Sequence, residues 1–172
     1  MEILGRATLR KILTEKPNFY NVILIASSDW EIFDLEPLCK DYLTVYFSDV
    51  ITSEREDAPQ LEQVKEAIEW GLDKDNLLIS CAAGISRSSA IAYLINSQLF
   101  DDGLSAIDVN KHRPNQLILH YGNQILGKNV ASKVYDHFKQ EFENNPTGPN
   151  ASSLRIYLHD YEVLQKKMTK IL

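Results

Sequence analysis

The stretch Leu77-Leu78-Ile79-Ser80-Cys81-Ala82-Ala83-Gly84-Ile85-Ser86-Arg87-Ser88 decides how this chain is read. Leu77, Leu78 and Ile79, entered through the polar turn Lys74-Asp75-Asn76, have the character of a short strand buried on both faces. From Ser89 to Leu99 the residues Ile91, Ala92, Leu94, Ile95 and Leu99 fall on the apolar side of a helix. Between strand and helix lies a loop that opens with Cys81 and closes with Arg87, five residues intervening. A strand feeding a loop and then a helix N-terminus gathers backbone N–H groups, and the helix dipole adds positive potential. Gly84 permits a turn that most residues resist. Ala82 and Ala83 are too small to crowd the cradle. Arg87 offers a planar fork to two oxygens of a phosphate. At the base of such a cradle Cys81 is expected to be acidified and to act as a nucleophilic thiolate. Chance proximity of a buried Cys and a surface Arg would explain either residue alone. The coincidence of strand, Cys, Gly, Arg and helix start favours the anion site.

Working outward, the pattern alternates strands and helices. Val22-Ile23-Leu24-Ile25-Ala26 is a second continuous apolar run, followed by the turn signal Ser27-Ser28-Asp29, and Leu43 to Phe47 reads as another strand. Arg6 to Lys16 is a candidate short helix ending before Pro17. Asp57 to Asp73 has Leu61, Val64, Ala67, Ile68 and Leu72 at helical spacing, with Pro59 near its start. Leu104 to Lys111 and Leu117 to Leu126 read as two further helices broken by Arg113-Pro114-Asn115. The expected fold is α/β: a central, mostly parallel sheet of four to five strands flanked by helices. Beyond it, Val130 to Glu143 and Leu154 to Leu172 are helical by pattern, separated by the linker-like stretch from Asn144 to Asn150. This divides the chain into residues 1–128, the domain carrying the loop, and 129–172, a helical extension set against that domain or a partner.

Composition narrows the function class. The 172 residues are 44% apolar and 24% charged, with a net charge of −6, which argues against a general nucleic-acid binder. No run is long enough for a membrane span, and the N-terminus lacks a signal-peptide layout. Two Cys do not make a disulfide framework, so a reducing cytoplasm is the expected setting. The four His, at 112, 120, 137 and 159, have no ligand spacing, and no metal or other cofactor is expected.

The loop resembles the signature loop of the cysteine-dependent protein tyrosine and dual-specificity phosphatases, in which His-Cys is followed by five residues, Arg, and Ser or Thr. Phe47-Ser48-Asp49 resembles the general-acid segment about thirty residues upstream. Arg113-Pro114-Asn115 and the following helix resemble the segment after the signature helix. The likeness covers about residues 20 to 128 and is closest to the small bacterial and dual-specificity-like members. It implies that Cys81 attacks phosphorus, Arg87 clamps the equatorial oxygens, and Ser88 donates to the thiolate. Asp49 would protonate the leaving group and then activate water. The amides of Ala82, Ala83, Gly84, Ile85, Ser86 and Arg87 would hold the phosphate.

One departure stands out. Ser80 occupies the place of the family's His, a supporting residue that orders the loop and helps set the thiolate. Asp57, twenty-four residues before Cys81, rivals Asp49 as the acid, with a helix N-cap as its ordinary alternative. Asn115 is either a support of the loop or a turn residue. Arg113 reads as a solvated helix-end cation rather than a second phosphate contact. Cys39 reads as a small buried apolar residue, with trapping of oxidised Cys81 as the alternative. Phosphoinositide-directed members of the family this loop resembles tend to carry Lys at these loop positions, so Ala82, Ala83 and Ile85 imply a single phosphate on a protein side chain or small molecule. The acidic stretch from Glu54 to Asp57, bordering the mouth, would favour basic peptides. The expected activity is therefore phosphomonoester hydrolysis, with phosphotyrosine as the leading substrate. The alternatives are a phosphate-binding pseudophosphatase, for which Ser80 is the clue, and sulfur or arsenate chemistry on a similar thiolate loop.

Overall fold

The computed structural model describes residues 1–28, 35 and 37–170. Asp29, expected in a turn, and residues 171–172, expected to end the last helix, lie outside the described residues.

Strand β2 (Asn21–Ala26) is buried along its whole length, as its apolar run requires. It pairs in parallel with β3 (Asp41–Tyr46), from Asn21 opposite Asp41 to Ala26 opposite Tyr46. On its other side it pairs in parallel with β4 (Leu77–Cys81), from Asn21 opposite Leu77 to Leu24 opposite Ser80. A fourth strand, β1 (Glu2–Gly5), pairs in parallel with β4 and ends with Gly5 opposite Cys81. The sheet is four-stranded, all parallel, in the order β1-β4-β2-β3. No element is expected before Arg6 from the sequence. Four residues with two apolar side chains are too short for a periodicity, and β1 owes its conformation to β4 beside it.

Alternate strand residues feed two cores. Ile23, Ile25, Ile79 and Cys81 face the larger one, and Val22, Leu24 and Leu78 face the smaller. The smaller core is closed by Leu9 and Leu13 of α1 (Arg6–Glu15). The larger is closed by α2 (Leu61–Gly71) and α3 (Arg87–Phe100), together with α4 (Gln116–Leu126), α5 (Val130–Asn144) and α6 (Ala151–Lys170). Val134, Phe138, Leu154, Tyr157 and Leu158 thus belong to the same apolar cluster as the sheet. Each such side chain withdrawn from water stabilises the fold by about 1.5–3 kcal/mol. Among the described residues no helix is long and apolar enough to cross a membrane.

Two helix expectations change. Residues 104–111 do not form a helix; a 3-10 turn at Gly103–Ala106 is followed by irregular chain. Asp108 redirects the backbone there. Its carboxylate accepts from the Asn110 amide (2.9 Å), its own amide donates to His112 Nδ1 (3.0 Å), and its carbonyl accepts from the Lys111 and His112 amides. Helix α2 starts four residues later than its apolar pattern suggested. Arg55 to Ala58 close a turn first, and Gln60 caps the helix reciprocally with Gln63, so Asp57 is not its N-cap.

Candidate active site

Parallel strands leave their C-terminal ends along one edge, where crossover loops gather. Cys81 ends β4 on that edge, the loop 82–86 follows, and Arg87 opens α3. Gly84 has φ +70°, which residues with a Cβ rarely adopt. It has a second reason to be glycine. A Cβ there would lie 2.4 Å from the Gly5 amide nitrogen and 2.5 Å from the Leu4 carbonyl carbon. The β1–α1 junction therefore presses against the loop, and the Arg6 amide donates to the Ala82 carbonyl (3.1 Å).

The loop's carbonyls are held from outside. Ile85 O accepts from the Arg113 amide (3.0 Å) and Ser89 Oγ (2.6 Å), and Ser86 O accepts from the Asn115 amide (3.1 Å) and Ser89 Oγ (3.0 Å). Among the described residues none of the amides from Ala83 to Ser86 donates to a carbonyl. The Ala83, Ile85 and Ser86 amides thus come without a carbonyl partner to the start of a 14-residue helix, a position that favours an anion.

Cys81, the last residue of β4 before this loop, is 3% exposed. Burial pushes its thiol up and is the largest single influence. The Ser88 hydroxyl and amide, the Arg87 guanidinium and the Gly84 amide together outweigh burial, so the net shift is downward. The Cys81 sulfur lies 3.1 Å from Ser88 Oγ. Arg87, 4% exposed, donates through Nη1 to Ser27 Oγ (2.8 Å) and the Phe47 carbonyl (2.9 Å), while its buried Nε–H has no partner among the described residues. In the sequence, Ser27 reads only as part of a turn. Its place just after a buried strand, on the edge where Cys81 lies, is the signal that could have marked it.

Asp49 is exposed and accepts through Oδ1 from Ser86 Oγ (2.7 Å) and Asn115 Nδ2 (2.8 Å), which places it beside the loop. Asn115 also caps α4, its Oδ1 accepting from the Ile118 amide (3.1 Å). It is thus a cap that simultaneously holds Asp49. Asp57 instead forms a two-pronged pair with Arg55, both contacts 2.8 Å. The Arg55 hydrogen bonds, with a contribution from Ser48, hold its carboxyl down at about 2. Arg113 is not a solvated cation. Its Nη1 donates to the Val109 and His112 carbonyls (2.6 Å each) and its Nε to Ser153 Oγ (2.8 Å). Ser80 is fully buried, and its hydroxyl makes one long contact, 3.4 Å, to the Cys81 carbonyl.

No family model matches the chain, and no curated protein matches it. Among solved structures it is similar to the crystal structure of Tk-PTP in the active form, with 14% identity and a TM-score of 0.43, covering 72% of this chain and 87% of that one. It is also similar to Tk-PTP in a mutant form, with 15% identity and a TM-score of 0.38, covering 98% of this chain and 89% of that one.

Cys39 and Cys81 are both free and buried, but they belong to different cores, Cys39 with Leu9 and Leu13, Cys81 with Ile79 and Ile91. Among the described residues no group of three or more His, Cys, Asp or Glu side chains is placed to hold a metal ion.

Proposed function

We propose that this protein hydrolyses phosphomonoesters, phosphotyrosine side chains foremost, through a cysteinyl-phosphate. The observation that carries the reading is a buried thiol 3.1 Å from Ser88 Oγ, in a loop whose Ala83, Ile85 and Ser86 amides have no carbonyl partner and which closes with the buried guanidinium of Arg87. The Cys81 thiolate attacks phosphorus as the P–O bond to the leaving group breaks, and Asp49 delivers its proton to the departing oxygen. The amides of residues 82–87 and the unpartnered Arg87 Nε–H take up the charge on the equatorial oxygens. Water then attacks phosphorus, Asp49 receives a water proton, the P–S bond breaks, and inorganic phosphate leaves. Ser88, 3.1 Å from the sulfur, stabilises the departing thiolate.

Asp49 suits the acid role better than Asp57. It touches the loop residue Ser86, whereas the Asp57 carboxylate is engaged by the Arg55 guanidinium through two contacts of 2.8 Å. A thiolate of this kind operates in a reducing compartment such as the cytoplasm.

Aryl phosphate turnover by wild type and Cys81→Ser tests the reading. Turnover by wild type alone, blocked by orthovanadate and indifferent to chelator, supports it. Binding of phosphopeptide without turnover by either form overturns it in favour of a pseudophosphatase.

A further inference from the structure

The segment Arg113-Pro114-Asn115-Gln116 lies between the Cys81 loop and helix α6 and is fastened on both sides. Toward the loop, the Arg113 and Asn115 amides hold the Ile85 and Ser86 carbonyls, at 3.0 and 3.1 Å. Asn115 Nδ2 holds Asp49 Oδ1 at 2.8 Å and the Val50 carbonyl at 3.1 Å. Toward α6, the Tyr157 hydroxyl donates to the Pro114 carbonyl at 2.7 Å, and Gln116 Nε2 donates to the Tyr157 carbonyl at 2.6 Å. Arg113 Nε reaches Ser153 Oγ of the same helix at 2.8 Å.

Little else in this segment can yield. Pro114 has a fixed φ and restricts Arg113 before it. Pro114, Asn115 and Gln116 are buried, and so is Tyr157. A displacement of α6 at Tyr157 would therefore reach Asp49 through Pro114 and Asn115.

We infer that helix α6 is a brace for the proton-donating carboxylate, and that Tyr157 is the positioning residue through which it acts. This rests on the reading of Asp49 as the general acid. Proton delivery needs contact within hydrogen-bond reach, and a misplacement of about 1 Å at a reacting group can cost on the order of a hundredfold. Tyr157 also fills the core. A structural role alone would lower every activity together; a positioning role lowers the reactions that need a proton.

The test reads kcat/KM, which covers the first phosphoryl transfer, on two substrates. Phenyl phosphate needs its leaving oxygen protonated, and 2,4-dinitrophenyl phosphate does not. For Tyr157→Phe, which keeps the ring and removes the hydroxyl, phenyl phosphate should fall roughly tenfold while dinitrophenyl phosphate stays within about twofold, in the direction of Asp49→Asn. In an Asp49→Asn background Tyr157→Phe should add no further selectivity. Ser153→Ala, at an exposed position where folding is not at stake, should show the same selectivity at about threefold.

Equal losses on both substrates for Tyr157→Phe overturn the inference, as does selectivity that persists without Asp49. If Tyr157→Phe does not fold, Ser153→Ala decides, and an unselective result overturns it. If Asp49→Asn is itself unselective, the assignment of the acid fails and the brace falls with it. If Asp49→Asn is selective and the α6 variants are not, only the brace falls.

Discussion

Cys81 and Cys39 carry the same side chain and are almost equally buried, 3% and 5% exposed, yet their thiols are pushed in opposite directions. Burial opposes ionisation at both. At Cys39 burial meets no counterweight, the Asp41 charge adds to it, and the thiol rises to about 11. At Cys81 the Ser88 hydroxyl, two amides and the Arg87 guanidinium reverse the sign. What separates the two sulfurs is the direction of nearby donors, not exposure.

Substitution at the two thiols should give the largest contrast. Cys81→Ser should lower aryl phosphate kcat by more than about ten-thousandfold, and Cys39→Ser should leave it within about twofold. Next in size is Arg87→Lys. A lysine carries the charge but cannot hold Ser27 Oγ and the Phe47 carbonyl while offering a further planar N–H, so kcat/KM should fall roughly a hundred- to a thousandfold.

Ser88→Ala removes a hydrogen bond that favours the thiolate, so the Cys81 thiol should rise. The acidic limb of the kcat/KM–pH profile should move to higher pH, with a loss at neutral pH of about tenfold. The smallest effect falls at Cys39. Its folded pKa lies above the unfolded value of about 8.5, so its contribution is fully retained below that pH and lost as the pH rises toward 11. The alkaline decline in stability measured by urea unfolding should be shallower in Cys39→Ala than in wild type.

How far this contrast could be read from the sequence depends on how local each cause is. Strands β2 and β4 announce themselves because consecutive Val, Ile and Leu residues suit few surroundings other than a doubly covered sheet. The loop from Cys81 to Arg87 is legible because its Gly, its Arg and the helix start lie within a few residues of one another. Strand β1 is not, because its reason for being extended is a partner more than seventy residues away, at β4. The residues 104–111 look helical by apolar spacing, and a single Asp108 side chain and its carbonyl override that pattern.

The least legible features are the long-range ones. Ser27 and the Phe47 carbonyl orient Arg87 across 60 and 40 residues of sequence, and Asn115 reaches Asp49 across 66. The sequence left Asn115 open between loop support and turn. The structure shows one amide side chain capping α4 through its oxygen and holding Asp49 through its nitrogen. Burial of Ser80 with a single long contact could not be foreseen, because the place of the expected His says nothing about what a smaller side chain finds there.

The most direct test is the pH dependence of alkylation by iodoacetamide, resolved at the two cysteines by peptide mass mapping, with Cys39 as the internal reference. Cys81 should titrate below the value of about 8.5 for a free thiol while Cys39 stays unreactive until far higher pH. Titration of Cys81 at or above the free-thiol value would contradict this.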